Sequence, residues 1–143
     1  MGEDGQGRQG DPLKIDRNHD YGVVRLRGQA FSAPGSLGIA SMNSGPGGVK
    51  IMLPSYGYIQ TGNGHMKSAK GTIGDSFDGS LVRRHDASSG RGASGAPLII
   101  LDRNGKPGNT VYAMHVAQDA DGRPLALEFS DTVYASITEW ATD

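Results

Sequence analysis

Apolar residues in this chain come in short bursts cut off by glycine, and near the end their period changes. The bursts lie at 22–27 (GVVRLR), 49–53 (VKIML), 66–73, 81–84 (LVRR), 97–101, 111–117 and 125–129. Runs of this length, bounded by glycine, proline, asparagine and aspartate, read as β-strands, with 81–84 the weakest. Asn104-Gly105 and Asp121-Gly122 are hairpin turn signals between the last three runs. Beyond them, Val133, Ile137, Trp140 and Ala141 follow i, i+4, i+7, i+8, one face of a helix, with Ser130 or Asp131 placed to cap its start. Residues 30–48 read as loop, and residues 1–18, polar and glycine-rich without periodicity, as a flexible lead-in. The pattern predicts an all-β domain over 19–143, roughly seven short strands followed by a helix of about three turns.

Composition supports this and removes several function classes. Glycine is 23 of 143 residues, about 16% against a usual share of about 7%, as expected for many tight turns. The formal net charge of −1 gives no electrostatic footprint for nucleic acid or an anionic membrane, so neither is expected as a partner. With no cysteine there is no disulfide framework and no thiolate zinc site. No apolar run is long enough to span a bilayer and no signal peptide is read, which leaves the compartment open. No cluster with metal-ligand spacing occurs, and no cofactor is expected.

The candidate chemistry sits in Gly92-Ala93-Ser94-Gly95-Ala96-Pro97. A serine hydroxyl becomes a useful nucleophile when a base takes its proton and N–H groups hold the oxyanion that forms. Glycines on either side let the backbone turn sharply, so that the N–H groups of Gly92 and Ser94 can converge on one point. The competing reading is a glycine-rich hairpin whose serine bonds its own backbone. Residues 90–95 also fit G-x-G-x-x-G, but that dinucleotide motif must open a helix, and Pro97 with the apolar run after it continues as a strand. An acyl-transfer serine needs a histidine and a carboxylate that orients it. Asp20, directly before the run at 22–27, suits the carboxylate; an ordinary turn aspartate is the alternative.

Several segments together resemble one known family. Asp20-Tyr21-Gly22-Val23-Val24-Arg25-Leu26 resembles the aspartate strand of chymotrypsin-like serine proteases, and Gly92-Ala93-Ser94-Gly95-Ala96-Pro97-Leu98 resembles their nucleophile loop. Tyr112-Ala113-Met114-His115-Val116-Ala117 resembles the next strand of the glutamyl endopeptidase branch, which carries a histidine there. Ser55-Tyr56-Gly57-Tyr58 and Lys67-Ser68-Ala69-Lys70-Gly71 resemble the middle of that branch, whose usual Gly-Tyr-Pro is Gly57-Tyr58-Ile59 here. The resemblance covers about residues 19–142. It implies a nearly complete second β-barrel of the chymotrypsin type, part of the first barrel, and a C-terminal helix.

The resemblance also implies roles. Ser94 is the expected nucleophile, Asp20 the carboxylate that orients the base, and the Gly92 and Ser94 N–H groups the oxyanion hole. His115 matches the wall of the primary specificity pocket, which in that branch favours an acidic or glutamine side chain before the scissile bond. Ser89, five positions before Ser94, is a second candidate for that pocket. Ala113 and Ala117, on the same strand face as His115 by alternation, are expected to leave room beside the imidazole. The family's catalytic histidine lies several tens of residues before the aspartate, and nothing before Asp20 resembles its strand. His19 adjoins Asp20 and points to the opposite face, while His65 and His85 read as surface or loop residues. The base is therefore expected from a preceding segment or a second polypeptide carrying the rest of the first barrel, with a polypeptide as substrate. The alternatives are a catalytically silent protease-like β-barrel that binds, and a viral polyprotein protease of the serine type.

Overall fold

The computed structural model describes residues 21–24, 35–42, 48–56, 65–76 and 80–142. Their elements are β1 (Gly38–Ile39), β2 (Val49–Ser55), β3 (Lys67–Ser76), β4 (Val82–His85), β5 (Pro97–Leu101), β6 (Pro107–Gln118), β7 (Pro124–Glu128) and α1 (Asp131–Thr142). The sheet runs β1-β6-β5-β2-β3-β4-β7, and β7 also pairs with β6. The six strands β2–β7 therefore close on themselves as a barrel, every pairing within it antiparallel, while β1 adds outside as a parallel neighbour of β6.

Closure depends on the 12-residue length of β6. Its first half pairs with β5, from Leu101↔Pro107 to Pro97↔Met114, and its second half with β7, from Ala113↔Glu128 to Gln118↔Pro124. One strand thus serves two neighbours, and the sheet is left without a long free edge.

Burial explains why some strands alternate and others do not. On β2, Ile51 and Leu53 point into the barrel at 1% and 0% exposure, joining Ile73, Leu98, Ala113 and Ala126. On β5 the inner Leu98 is followed by Ile99, which packs on the other face with Val111, Phe129 and Val133. Both faces of β5 are covered, so its sequence is an unbroken Leu-Ile-Ile-Leu run rather than an alternating one. Truncating either residue to alanine should cost about 2–5 kcal/mol. Arg83 on β4 and Glu128 on β7 form a buried ion pair at 3.3 Å across that seam, with the Arg83 Nε also donating to the Gly74 carbonyl at 2.8 Å.

The helix covers the outer face. The Ser130 Oγ accepts from the Val133 N–H at 3.3 Å, which makes Ser130 the cap, and Asp131 sits in the first turn. Val133 is buried and Ile137 packs beside it against Phe129. Trp140 is 46% exposed and stacks on Tyr21, ring centroids 5.6 Å apart, while Ala141, expected on the packed face, is exposed.

The all-β reading with a C-terminal helix holds, and β5 has the bounds that the sequence predicted. Two departures stand out. Residues 22–24, expected as a strand, have no ladder partner among the described residues, and Val24 is 84% exposed. β1 lies inside the stretch read as loop, because two residues carry no period to read. The lead-in 1–18, His19, Asp20, residues 25–27 and the Gly57-Tyr58-Ile59 segment lie outside the described residues.

Candidate active site

Between β4 and β5 the chain makes two β-turns in succession. The Ala93 N–H donates to the Gly90 carbonyl at 3.0 Å, and the Ala96 N–H to the Ala93 carbonyl at 2.9 Å. The third position of each turn is a glycine at positive φ, Gly92 at 88° and Gly95 at 83°. That is the type II arrangement, and an L side chain there costs about 1–2 kcal/mol. The two glycines that flank Ser94 in sequence are thus the residues that bend the chain around it. Ser94 is exposed at the second turn, while Ala93 between the turns is fully buried and anchors the loop. Neither the Gly92 nor the Ser94 amide donates to any described residue.

The loop is fastened to β6 at His115. The Gly95 N–H donates to the His115 carbonyl and the His115 N–H to the Ala96 carbonyl, each at 2.8 Å. This pair of bonds puts Ser94 and His115 on the wall of one cavity of about 410 Å³, which Tyr21, Gly22, Met114 and Val116 also line. Ser94 borders a second cavity too, of about 520 Å³ and more apolar, with Met52, Pro54, Tyr56, Met66 and Pro97 among its walls. The candidate nucleophile stands between two spaces of unlike chemistry.

His115 is 3% exposed, and its Nδ1 lies 3.0 Å from the Nε2 of His85, 4% exposed, on β4. The rings meet edge to face, centroids 5.2 Å apart and planes at 79°. Burial, with the His115 ring adding to it and Asp86 opposing, pulls the His85 pKa down to about 4. Burial also lowers that of His115. Near neutral pH both rings are therefore uncharged. Two buried polar atoms, His85 Nδ1 and Ser89 Oγ, have no hydrogen-bond partner among the described residues.

Of the sequence-predicted residues, Ser94 and His115 border one cavity, and Gly92 lies with Ser94 on the other. Ser89 does not line the Ser94–His115 cavity. Ala113 and Ala117 do not line it either: Ala113 is buried in the barrel core on the same face of β6 as His115, and the half-buried Met114 and Val116, on the opposite face, border the cavity instead. Asp20 lies outside the described residues, while Tyr21 and Gly22, the next two, border the cavity. His65 is exposed, as expected. His85 is not the surface residue it was expected to be. It is a buried strand residue opposite Ile73, touching His115. A polar Arg-Arg-His stretch gives no sequence signal of this, since its burial depends on partners 30 and 45 residues away. Among the described residues no group of three or more potential metal ligands gathers, and no helix is long and apolar enough to cross a membrane.

No family model and no curated protein matches the chain. Solved structures do. It is similar to the scabies mite inactivated protease paralogue S-I1, with a TM-score of 0.54 and 14% identity over 74% of this chain and 52% of that one. It is also similar to Rv3671c from M. tuberculosis H37Rv, a serine-to-alanine mutant in an inactive form, with a TM-score of 0.49 and 20% identity over 74% and 55%. The chain spans about half the length of the solved structures that it matches. The fold is that of a chymotrypsin-like β-barrel with a C-terminal helix.

Proposed function

We propose that this chain carries the nucleophile and specificity wall of a serine endopeptidase. The observation that carries the reading is the Ser94 loop: two glycine turns present the hydroxyl beside two unpartnered amides and hold it to the His115 cavity. In this reading the Ser94 Oγ attacks the carbonyl carbon of a peptide bond while a histidine from a preceding segment or a second polypeptide takes its proton. The Gly92 and Ser94 N–H groups hold the oxyanion. The C–N bond then breaks, the amine leaves with that proton, and water releases the acyl group from Ser94 by the same steps. Asp20 orients the histidine. The side chain before the scissile bond enters the His115 cavity, whose polar wall suits glutamate or glutamine.

The test combines this chain with a histidine-bearing first barrel and reads labelling by a fluorophosphonate probe. Labelling should appear only in the completed protein and vanish in Ser94→Ala. Peptide-library profiling should then show cleavage after Glu or Gln, with His115→Ala lowering kcat/KM for those substrates far more than for apolar ones. Labelling that survives in Ser94→Ala overturns the nucleophile assignment. No labelling under any condition favours a silent binding barrel.

A further inference from the structure

We infer that Trp140 is a positioning residue: its stack on Tyr21 fixes the chain at the edge of the Ser94–His115 cavity, one peptide from Asp20. The consequence rests on the role proposed above for Asp20; the stack itself does not. Residues 21–24 run without a ladder partner among the described residues, and Val24 is 84% exposed. Strand pairing therefore does not set where this segment lies, and side chains must. Tyr21 is half-buried and packs against two clusters, one of Ile99, Val111, Phe129 and Val133 and one of Val82, Leu125 and Leu127. Trp140 adds a third contact, with centroids 5.6 Å apart and ring planes at 26°. Stacking ties the orientation of one flat ring to that of the other.

The helix brings the indole to that place. Val133 and Ile137 seat α1 against Phe129, and Trp140, three residues after Ile137, continues the same stripe to Tyr21. At 46% exposure the indole is too open to serve the core. Adjacent Cα atoms are about 3.8 Å apart across a trans peptide, so whatever holds Tyr21 also limits where the Asp20 carboxylate can reach. A carboxylate that orients an imidazole works at hydrogen-bond distance. A misplacement of about 1 Å can cost about 10²-fold in rate. The helix thus brings no group to the chemistry and acts on it through one ring.

The stack can be read on the chain by itself, with ¹³C-labelled tyrosine and ¹H–¹³C correlation. The Tyr21 ring signals, shifted by the indole above them, should move in Trp140→Ala, while those of Tyr112, packed on the barrel core, should not. In the completed protein, Trp140→Ala should lower kcat by about 10–10²-fold with KM little changed, and Trp140→Phe, which can still stack, should recover most of the loss. In an Asp20→Asn background the same Trp140→Ala change should cost nothing further, because the carboxylate that it positions is gone. A merely structural role would lower kcat alike in both backgrounds, and that result overturns the inference. So does an unmoved Tyr21 signal in folded Trp140→Ala, or a loss confined to KM. If Trp140→Ala does not fold, Trp140→Leu, which keeps apolar bulk without the flat indole, takes its place in each measurement. The two readings fail separately. Absent Ser94 labelling in the unmodified completed protein removes the enzyme, and with it any part for Trp140 in turnover. Normal labelling with equal losses in the two backgrounds removes the role of Trp140 alone.

Discussion

At the hairpins β5–β6 and β6–β7, the segments Asp102-Arg103-Asn104-Gly105-Lys106 and Asp119-Ala120-Asp121-Gly122-Arg123 fold alike. In each, the glycine has positive φ, 74° at Gly105 and 78° at Gly122, and its N–H donates back to the leading aspartate carbonyl. In each, one oxygen of that aspartate side chain accepts two further amides: Asn104 and Lys106 at 2.8 and 2.9 Å, Asp121 and Arg123 at 3.0 and 2.9 Å. The Ser94 loop also turns on positive-φ glycines, but among the described residues no carboxylate fills it and the amides of Gly92 and Ser94 have no acceptor. Both kinds of turn use positive-φ glycines, but the hairpin glycine closes its turn with its own N–H, whereas Gly92 and Gly95 stand one position before the closing residue, and the filling differs too. A carboxylate oxygen collecting two amides is what the hairpins contain as a fixture. In the function proposed above, a carbonyl oxygen from outside would collect the two amides of the Ser94 loop.

The largest expected effect separates the two kinds of turn. Gly92→Ala in the completed protein should reduce kcat by about 10²–10³-fold, by displacing one oxyanion donor. Its cost in unfolding free energy should be only about 1–2 kcal/mol. Gly122→Ala should bear a similar stability cost with kcat unchanged. Denaturant titration and single-turnover kinetics on the two variants measure this, and equal losses of kcat would erase the distinction.

A smaller effect concerns the carboxylates. Burial disfavours the Asp119 charge, but the amides of Arg123 and Asp121 and the Arg123 and Arg84 guanidiniums outweigh it, and hold its pKa below the ordinary 3.8. A depressed carboxylate stabilises the fold at pH above its unfolded-state value, and that contribution is lost as pH falls through the folded-state value. Asp119→Asn should therefore lower the Tm at pH 7, and the gap to the unmodified protein should narrow as pH drops below about 4. A gap that is constant with pH would mean that the charge does not matter there.

The smallest effect is in amide exchange. The N–H groups of Asp121 and Arg123 should exchange with solvent deuterium more slowly than those of Gly92 and Ser94, because only the first two are bonded among the described residues. Equal rates would mean that the open amides find partners in solution.

Most of the barrel was legible in the sequence because each strand's burial is written locally. Ile51 and Leu53 alternate, the 97–101 run is apolar on both faces, and Asp-Gly and Asn-Gly mark the turns. The Ser94 loop was legible for the same reason, since its geometry is set by its own glycines. What escaped depends on residues distant in sequence. His85 is buried because β6 brings His115 to it. β1 exists because Thr110 and Val111 offer it an edge. The cavity is walled by Met114 and Val116 because it lies on the face of β6 opposite the buried Ala113 and His115, and alternation along one strand does not say which face a cavity borders.

The stack of Tyr21 on Trp140 gives the molecule an optical handle. Trp140 is the chain's one tryptophan, and its ring rests on the residue that borders the Ser94–His115 cavity. Its indole is half in solvent, so the colour and intensity of its emission follow whatever Tyr21 does. A peptide drawn into the cavity, or a first barrel closing over the segment at 21–24, would register there without any added dye. The last turn of the helix reports on the first described residues of the chain.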